Sequence, residues 1–190
     1  FYGEHDLGRF GFSATVRYDH KSVIPSTEKI VKRADFNLHI RKRQFDDFSA
    51  GLTTAFNAGK GYTFGGTVMR TFRAPGIEEL FSEGPHLAAY AYEVGNSELG
   101  KENGLGLELY LDHVTNQINF HLAVFRNDIN GYIFPKNTGR KSLRRADLML
   151  YQYVGEHALM QGIEGTVDWK MTESVTFLGS LSYVKGDLVN

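Results

Sequence analysis

Residues 104–112 read GLGLELYLD, and this stretch alternates between leucine and small or polar residues. The four leucines are Leu105, Leu107, Leu109 and Leu111. Because successive side chains of a β-strand point to opposite faces of the sheet, an extended backbone places the leucines on one face and Glu108, Tyr110 and Asp112 on the other. The stretch therefore predicts a β-strand with one apolar and one polar face.

The same alternation continues on both sides of this stretch. It is clear in residues 10–19, FGFSATVRYD, and in residues 118–124, INFHLAV. Further strands are predicted at residues 45–57, 61–71, 157–169 and 174–185. The last of these is ambiguous because Leu178 and Val184 interrupt its polar face. The pattern predicts an all-β chain of about seven strands, most of them near the roughly 9 to 11 residues that a membrane-crossing strand needs.

The connections between these strands alternate in length. The long ones are residues 20–44, 72–101 and 135–156, and the short ones are 57–61, 113–116 and 170–174. Short turns at one end and long loops at the other are typical of outer-membrane barrels. Aromatic residues gather near the short turns, as an interfacial girdle requires: Phe10, Phe12, Phe56, Tyr62, Phe64, Trp169 and Phe177. This favours part of a larger antiparallel transmembrane β-barrel over the alternative, a soluble β-sandwich binding module.

The composition excludes several classes of protein. The net charge is −1, from 21 basic and 22 acidic residues, so no nucleic-acid partner is expected. The chain has no cysteine, which rules out disulfides and thiol catalysis and leaves His, Asp and Glu as metal ligands. A Gly-x-Ser-x-Gly elbow, an HExxH pair and a phosphate-binding glycine loop are all absent. We therefore expect a protein that is not an enzyme.

The segment after the third predicted strand resembles a known family. It contains Phe72, Arg73, Ala74 and Pro75, followed by Glu79-Leu80-Phe81 and later by Asn96, Leu99 and Glu102. These residues resemble the FRAP box and the later NPNL box of TonB-dependent receptors, although the second box is degenerate and reads Asn-Ser-Glu-Leu at 96–99. Residues 84–96, GPHLAAYAYEVGN, are most similar to the corresponding loop of zinc-uptake receptors.

This resemblance implies an outer-membrane receptor of a Gram-negative bacterium that imports a metal ion or metal complex. Residues 1–190 would be the central part of its barrel, with the plug domain and the C-terminal strands lying outside this chain. The implied partners are the TonB complex, reached through the plug, together with outer-membrane lipid, lipopolysaccharide and the ligand itself. No cofactor is implied; zinc is the favoured cargo, and haem or a siderophore is the alternative.

His86 is the candidate metal ligand in the 72–101 connection. Glu83 precedes it by three residues and Glu93 follows it by seven. Imidazole and carboxylate suit zinc, and imidazole also binds haem iron. A solvated loop histidine is the competing interpretation, and a single ligand does not make a site. Glu83, Glu93, other loops or the plug would have to supply the remaining ligands.

Two basic clusters lie in predicted outer loops. They are Lys29, Lys32, Arg33, Arg41, Lys42 and Arg43, and Arg140, Lys141, Arg144 and Arg145. Such clusters bind phosphate or anionic ligands, or they remain solvated. His121 and Glu108 fall on polar strand faces, where they are expected to line a wet lumen.

Overall fold

The computed structural model describes residues 1–33 and 35–189. Its strands are β1 (Tyr2–Leu7), β2 (Phe10–Val23), β3 (Lys29–Lys32), β4 (Asn37–Ile40), β5 (Arg43–Gly59), β6 (Tyr62–Arg73), β7 (Glu83–His86), β8 (Ala91–Val94), β9 (Glu102–Val114), β10 (Ile118–Lys141), β11 (Met149–Lys170) and β12 (Thr176–Leu188). Helix α1 spans Ile77–Phe81, and a 3₁₀ turn spans Leu87–Ala89. No helix in these residues is long and apolar enough to cross a membrane.

The long strands form one antiparallel sheet in the order β1-β2-β5-β6-β9-β10-β11-β12. The short strands β3 and β4 pair only with each other, and β7 joins β8, which pairs in parallel with the upper end of β11. In the described part of the chain β1 and β12 each pair on one side only, so the sheet is open. These features confirm the predicted all-β, antiparallel part of a barrel. They do not fit a sandwich, which needs a second large sheet packed on the first.

The leucines of β9 lie on what we term the outer face of this sheet. The exposed fractions are 51% for Leu105, 48% for Leu107 and 66% for Leu109. Cross-strand partners on the same face are Val68 beside Leu107 and Val124 beside Leu109. The face opposite to it, the inner face, carries polar side chains such as Glu108. The outer face is therefore an apolar surface that the protein itself leaves uncovered.

Rows of aromatic side chains mark the short-turn end of the outer face. Each row is displaced along the strands relative to the row before it, as tilted barrel strands require. The first row is Phe10, Phe56 and Phe64, the next is Tyr62, His113 and Phe120, and the last is Trp169 and Phe177, with Ile118 beside them. The centroids of the His113 and Tyr62 rings lie 4.0 Å apart, so His113, which the alternation does not single out, also belongs to this girdle.

Three sequence expectations need correction. Strand β1 was not predicted, because residues 2–7 are short and lack a clear apolar alternation. The prediction of a long connection at residues 135–156 was wrong, since β10 runs to Lys141 and β11 starts at Met149. Beyond the apolar outer face both sides of a strand meet water or loops, so hydrophobic alternation no longer reports on strand length. The 20–44 connection likewise contains the β3–β4 hairpin.

The apolar part of the outer face is called the apolar band, and the long-loop end of the sheet lies above it. Two small hydrophobic cores lie at this long-loop end. The first joins Val23, Phe45, Leu80, Leu99 and Ile133, which come from three strands and the connection after β6. The second joins Leu38, Tyr92, Val94, Leu148 and Leu150, which come from β4, β8, the β10–β11 connection and the start of β11. The long connections are therefore packed on the sheet and on one another.

Candidate functional site

The connection between β6 and β9, residues 74–101, is here called the rim loop. Its helix α1 is anchored by Leu80, which is fully buried. The chain then returns across the helix end, where the Gly95 amide donates to Ser82 O at 2.9 Å and the Asn96 amide to Glu79 O at 2.8 Å. A Cβ on Gly95 would lie 2.7 Å from the Leu80 carbonyl carbon, so only glycine permits this close approach.

Arg73 fixes the root of the rim loop. Its Nε and Nη2 donate to the two oxygens of Glu102 at 2.8 and 2.5 Å, and its Nη1 donates to Glu79 at 3.0 and 3.1 Å. Glu102 also accepts the Ile133 amide at 2.7 Å, and Glu79 accepts the Gly76 amide at 2.6 Å. The hydrogen bond to Glu102 and the one to Glu79 raise the pKa of the Arg73 guanidinium. We call Arg73, Glu79 and Glu102 the clamp.

The other motif residues complete this root by packing. Pro75 is fully buried, Phe72 and Ala74 pack against the first core, and Leu99 belongs to that core. Asn96 accepts the Glu98 amide at 2.9 Å, which shapes the turn into β9. The contacts of these motif residues therefore stabilise the backbone and the packing of the rim loop.

Basic side chains from residues 21–43 also bond to the rim loop. Lys21 Nζ donates to Pro75 O at 2.8 Å and Arg43 Nη2 to Leu99 O at 2.7 Å. Arg41 donates to Glu98 at 2.8 Å. The sequence predicts that Arg41 and Arg43 meet phosphate, an anionic ligand or solvent, and its patterns do not single out Lys21. These contacts join residues that are more than fifty positions apart, which no local pattern reports.

His86 and Glu93 come together on one face of the β7–β8 hairpin. His86 Nδ1 lies 2.8 Å from Glu93 Oε1, and the imidazole side chain is 58% exposed. Glu93 Oε2 accepts the Tyr153 hydroxyl at 3.1 Å. Burial, and then the charge of Glu93, raise the pKa of Tyr153 to about 12. The phenol therefore stays protonated at neutral pH and holds the carboxylate in place behind the imidazole.

Glu83 lies on the other face of the same hairpin. It pairs with Val94, whereas its neighbour Gly84 pairs with Glu93, and directly opposed residues share a face. Its carboxylate accepts the Tyr92 hydroxyl at 3.2 Å, contacts Arg144 and lies 3.6 Å from Arg33 Nε. The structure thus brings together two of the three predicted ligands. Within residues 1–33 and 35–189, no group of three or more His, Asp or Glu side chains is placed to hold a metal ion.

The hairpin is held by strand pairing and by the second core. Residues 91–94 of β8 pair in parallel with residues 149–152 of β11. Next to them Asp35 accepts the Ser142 hydroxyl at 2.9 Å and the Leu143 amide at 2.9 and 3.0 Å, which ties two other connections together. The tip remains outside this packing, since Leu87 is 62% and Tyr90 78% exposed.

The inner face carries a second imidazole–carboxylate pair. His121 Nδ1 lies 2.6 Å from Asp112 Oδ1, and the Tyr110 ring stacks 6.0 Å from the imidazole. Register places Glu108 on the same face, as predicted for lumen-lining residues. Polar side chains are usual in barrel lumens, so this pair does not by itself indicate a ligand.

Known proteins share this architecture. The family model of the TonB dependent receptor-like β-barrel covers residues 2–189. The copper transporter OprC superposes with a TM-score of 0.75 at 15% identity, over 96% of this chain and 27% of that chain. The FrpB iron transporter from Neisseria meningitidis gives 0.65 at 13% identity, over 98% and 25%. The siderophore receptor PirA from Pseudomonas aeruginosa gives 0.61 at 16% identity, over 98% and 39%.

The chain therefore spans about a quarter to two fifths of the length of these solved structures. At these identities the superpositions establish the fold, while the match to the family model extends over residues 2–189. The strand order, the uncovered apolar outer face and the packed rim loop lead to the same conclusion. This chain belongs to the TonB-dependent receptor β-barrel family.

Proposed function

We propose that the chain is part of an outer-membrane receptor that imports a metal ion or metal complex in a TonB-dependent manner, with zinc as the favoured cargo. Family membership and the apolar outer face support the membrane placement, and the TonB complex would act through a plug segment that lies outside this chain. Among the solved relatives are a copper transporter, an iron transporter and a siderophore receptor.

The arrangement of His86 and Glu93 carries the zinc proposal. A histidine that binds a metal through one ring nitrogen usually donates its other N–H to a carboxylate, which fixes the tautomer and the ring orientation. Glu93 occupies that position at Nδ1, so Nε2 is the nitrogen that faces the metal. Glu93 is accordingly a supporting group, and Glu83 is directed away from the site.

A capture site must also release its cargo. Transport requires binding that is strong enough for entry and weak enough for exit. One protein imidazole with exchangeable ligands from water, the plug or other loops meets this requirement better than a closed four-ligand structural site. The exposed position of His86 is consistent with such an open site.

Calorimetry of zinc binding to the complete receptor tests this proposal. His86→Ala removes the ligand and should abolish the high-affinity phase. Glu93→Gln should weaken binding by about 10- to 100-fold, as loss of an outer-shell carboxylate does. His20→Ala, a change at another exposed histidine, serves as the matched control and should have no effect. Zinc affinity unchanged in His86→Ala would reject zinc capture at this hairpin.

Haem is the second candidate, because apolar surface flanks His86. Leu87 and Tyr90 are largely exposed at the hairpin tip, and a planar apolar ligand would cover them. Leu87→Ser should then weaken haem binding and leave zinc binding unchanged, and His86→Ala should shift the haem absorption spectrum. The opposite pattern, zinc affinity lost and haem spectrum unchanged in His86→Ala, would decide for zinc.

A further inference from the structure

Tyr153 connects the imidazole–carboxylate pair of the hairpin to the barrel wall. It belongs to β11, and its ring packs against the first hydrophobic core. Its hydroxyl donates to Glu93 Oε2 at 3.1 Å, while Glu93 Oε1 lies 2.8 Å from His86 Nδ1. The two oxygens of one carboxylate therefore meet two different partners, and only His86 lies on the hairpin itself.

Glu93 is restrained through both its backbone and its side chain. Its backbone lies in β8, where the neighbouring Tyr92 and Val94 belong to the second core. Its side chain is 18% exposed, against 58% for His86. Among the residues that the structure describes, no lysine or arginine pairs with Glu93, so the Tyr153 hydroxyl is the contact that restrains Oε2.

Glu93 cannot reach a metal at His86 Nε2 and keep this contact. The two ring nitrogens of an imidazole point in different directions, so the carboxylate would have to swing around the ring from Nδ1. That movement breaks the hydrogen bond from Tyr153 and leaves a partly buried phenol without its acceptor, which is unfavourable. The hydroxyl therefore holds Glu93 behind the imidazole.

From this geometry we infer that Tyr153 determines metal specificity, because it keeps the Glu93 carboxylate out of the coordination shell of His86. The inference rests on the proposed function, since it takes His86 as the ligand. Imidazole suits zinc and copper, whereas carboxylate and water suit manganese, calcium and magnesium. The hairpin therefore offers nitrogen to the metal, and a Glu93 side chain released from Tyr153 adds an oxygen ligand that favours the second group.

Tyr153→Phe in the complete receptor tests this inference, because it removes the hydroxyl and keeps the ring in the core. Calorimetry measures zinc affinity, and electron paramagnetic resonance of free Mn²⁺ measures manganese affinity. The ratio of zinc to manganese affinity should fall by about tenfold or more, within the range that changes in outer-shell partners cause. Loss of packing alone would weaken both metals together and leave this ratio unchanged.

Glu93→Gln in the Tyr153→Phe background tests the source of the change. With the carboxylate removed, the gain in manganese affinity should disappear. Tyr151→Phe is the matched control, since Tyr151 lies opposite Glu93 in the β8–β11 register while its hydroxyl accepts from Asn137 Nδ2 at 3.2 Å. This control should keep the wild-type ratio. Heat-modifiable migration of each variant should match the wild type and so establish that it folds.

His86→Ala in the same series separates this inference from the proposed function. If zinc binding requires His86 but Tyr153→Phe keeps the wild-type ratio, the inference is overturned and the proposed function stands. An equal fall of the ratio in Tyr151→Phe, or a manganese gain that persists without the Glu93 carboxylate, also overturns the inference alone. Zinc binding that does not require His86 overturns both.

Discussion

Leu109 and Tyr110 are neighbours in the chain that meet opposite environments. Leu109 is 66% exposed on the outer face and lies in the middle of the outward positions of β9. Tyr110 points inward, where its ring covers Gly65 on β6 and stacks on His121 of β10. The alternation of residues 104–112 was sufficient to predict these two directions. It could not predict that Tyr110 depends on a glycine in the adjacent strand.

Leu109→Arg in the complete receptor should cost about 2 to 4 kcal/mol of unfolding free energy, because a cation near the bilayer midplane loses its hydration. Tyr110→Thr should cost much less, since the inner face is wet. Urea unfolding in lipid vesicles measures both values. Equal costs at the two positions would mean that the faces have been assigned the wrong way round.

Gly65→Ala tests the contact below Tyr110. A Cβ at this position would lie 2.1 Å from Tyr110 Cζ, so the ring must move. We expect a loss of about 0.5 to 1.5 kcal/mol, the cost of turning the Tyr110 side chain away from its rotamer on the wet inner face. The same change in a Tyr110→Ser background should cost less, because the ring is gone and the two effects are not additive. Additive costs in the same vesicle unfolding assay would count against the contact.

At the scale of elements, the rim loop depends on the clamp. Arg73→Gln leaves the partly buried carboxylates of Glu79 and Glu102 without their cation, which costs about 1 to 3 kcal/mol. Because these contacts join the loop root to β9, the loss should appear as local opening. Hydrogen exchange of residues 74–101 in the complete receptor should therefore accelerate, while the exchange of β9 below the rim is retained.

Arg145→Gln is the matched control for the clamp. Arg145 and Asp147 form an ion pair that is exposed and local, of a kind that contributes little. This variant should leave the exchange of residues 74–101 unchanged. If Arg73→Gln is as silent as Arg145→Gln, the motif arginine does not hold the loop.

Sequence patterns predicted the elements inside the apolar band and failed above it. Strands β2, β5, β6, β9 and β12 follow from period-two alternation, since one side meets an apolar medium and the other a polar one. Above the band this contrast ends, so the upper halves of β10 and β11 were taken for a loop. For the candidate site, the sequence predicts His86, Glu83 and Glu93 as metal ligands, and the structure brings His86 and Glu93 into contact. The sequence could not place Glu83 on the opposite hairpin face, because the register of β7 and β8 depends on where the turn falls.

At the scale of the whole molecule, contacts between the long connections were beyond sequence reasoning. Asp35 meets Ser142 and Leu143 across more than one hundred residues. Leu38, Tyr92 and Leu148 share one core, although each lies in a different connection. Hydrophobic periodicity reports on one element at a time and contains no information about which connections meet. The structure shows that the three long connections contact one another.

Residues 1–190 produced alone in water should associate or aggregate. Strands β1 and β12 each offer an unpaired edge in the described residues, and the outer face presents Leu109, Leu181 and Phe177 to solvent. Open edges and large apolar patches both promote association. Size-exclusion chromatography measures this, with the complete receptor in detergent as the monodisperse control. A monomeric fragment that melts cooperatively in plain buffer would contradict the membrane-barrel assignment.

The parallel pairing of β8 with β11 bears on the kinetics of the proposed ligand capture. Because four residues of the hairpin are bonded to a barrel strand, the chain entropy of this segment is lost during folding and not at the encounter with the ligand. In the proposed function, an incoming ion therefore meets a surface that is already arranged, and only the tip at Leu87–Tyr90 has to adjust. For such a hairpin we expect association to be governed by diffusion and dehydration of the ion, and affinity differences between candidate cargoes to be expressed in how long each one stays.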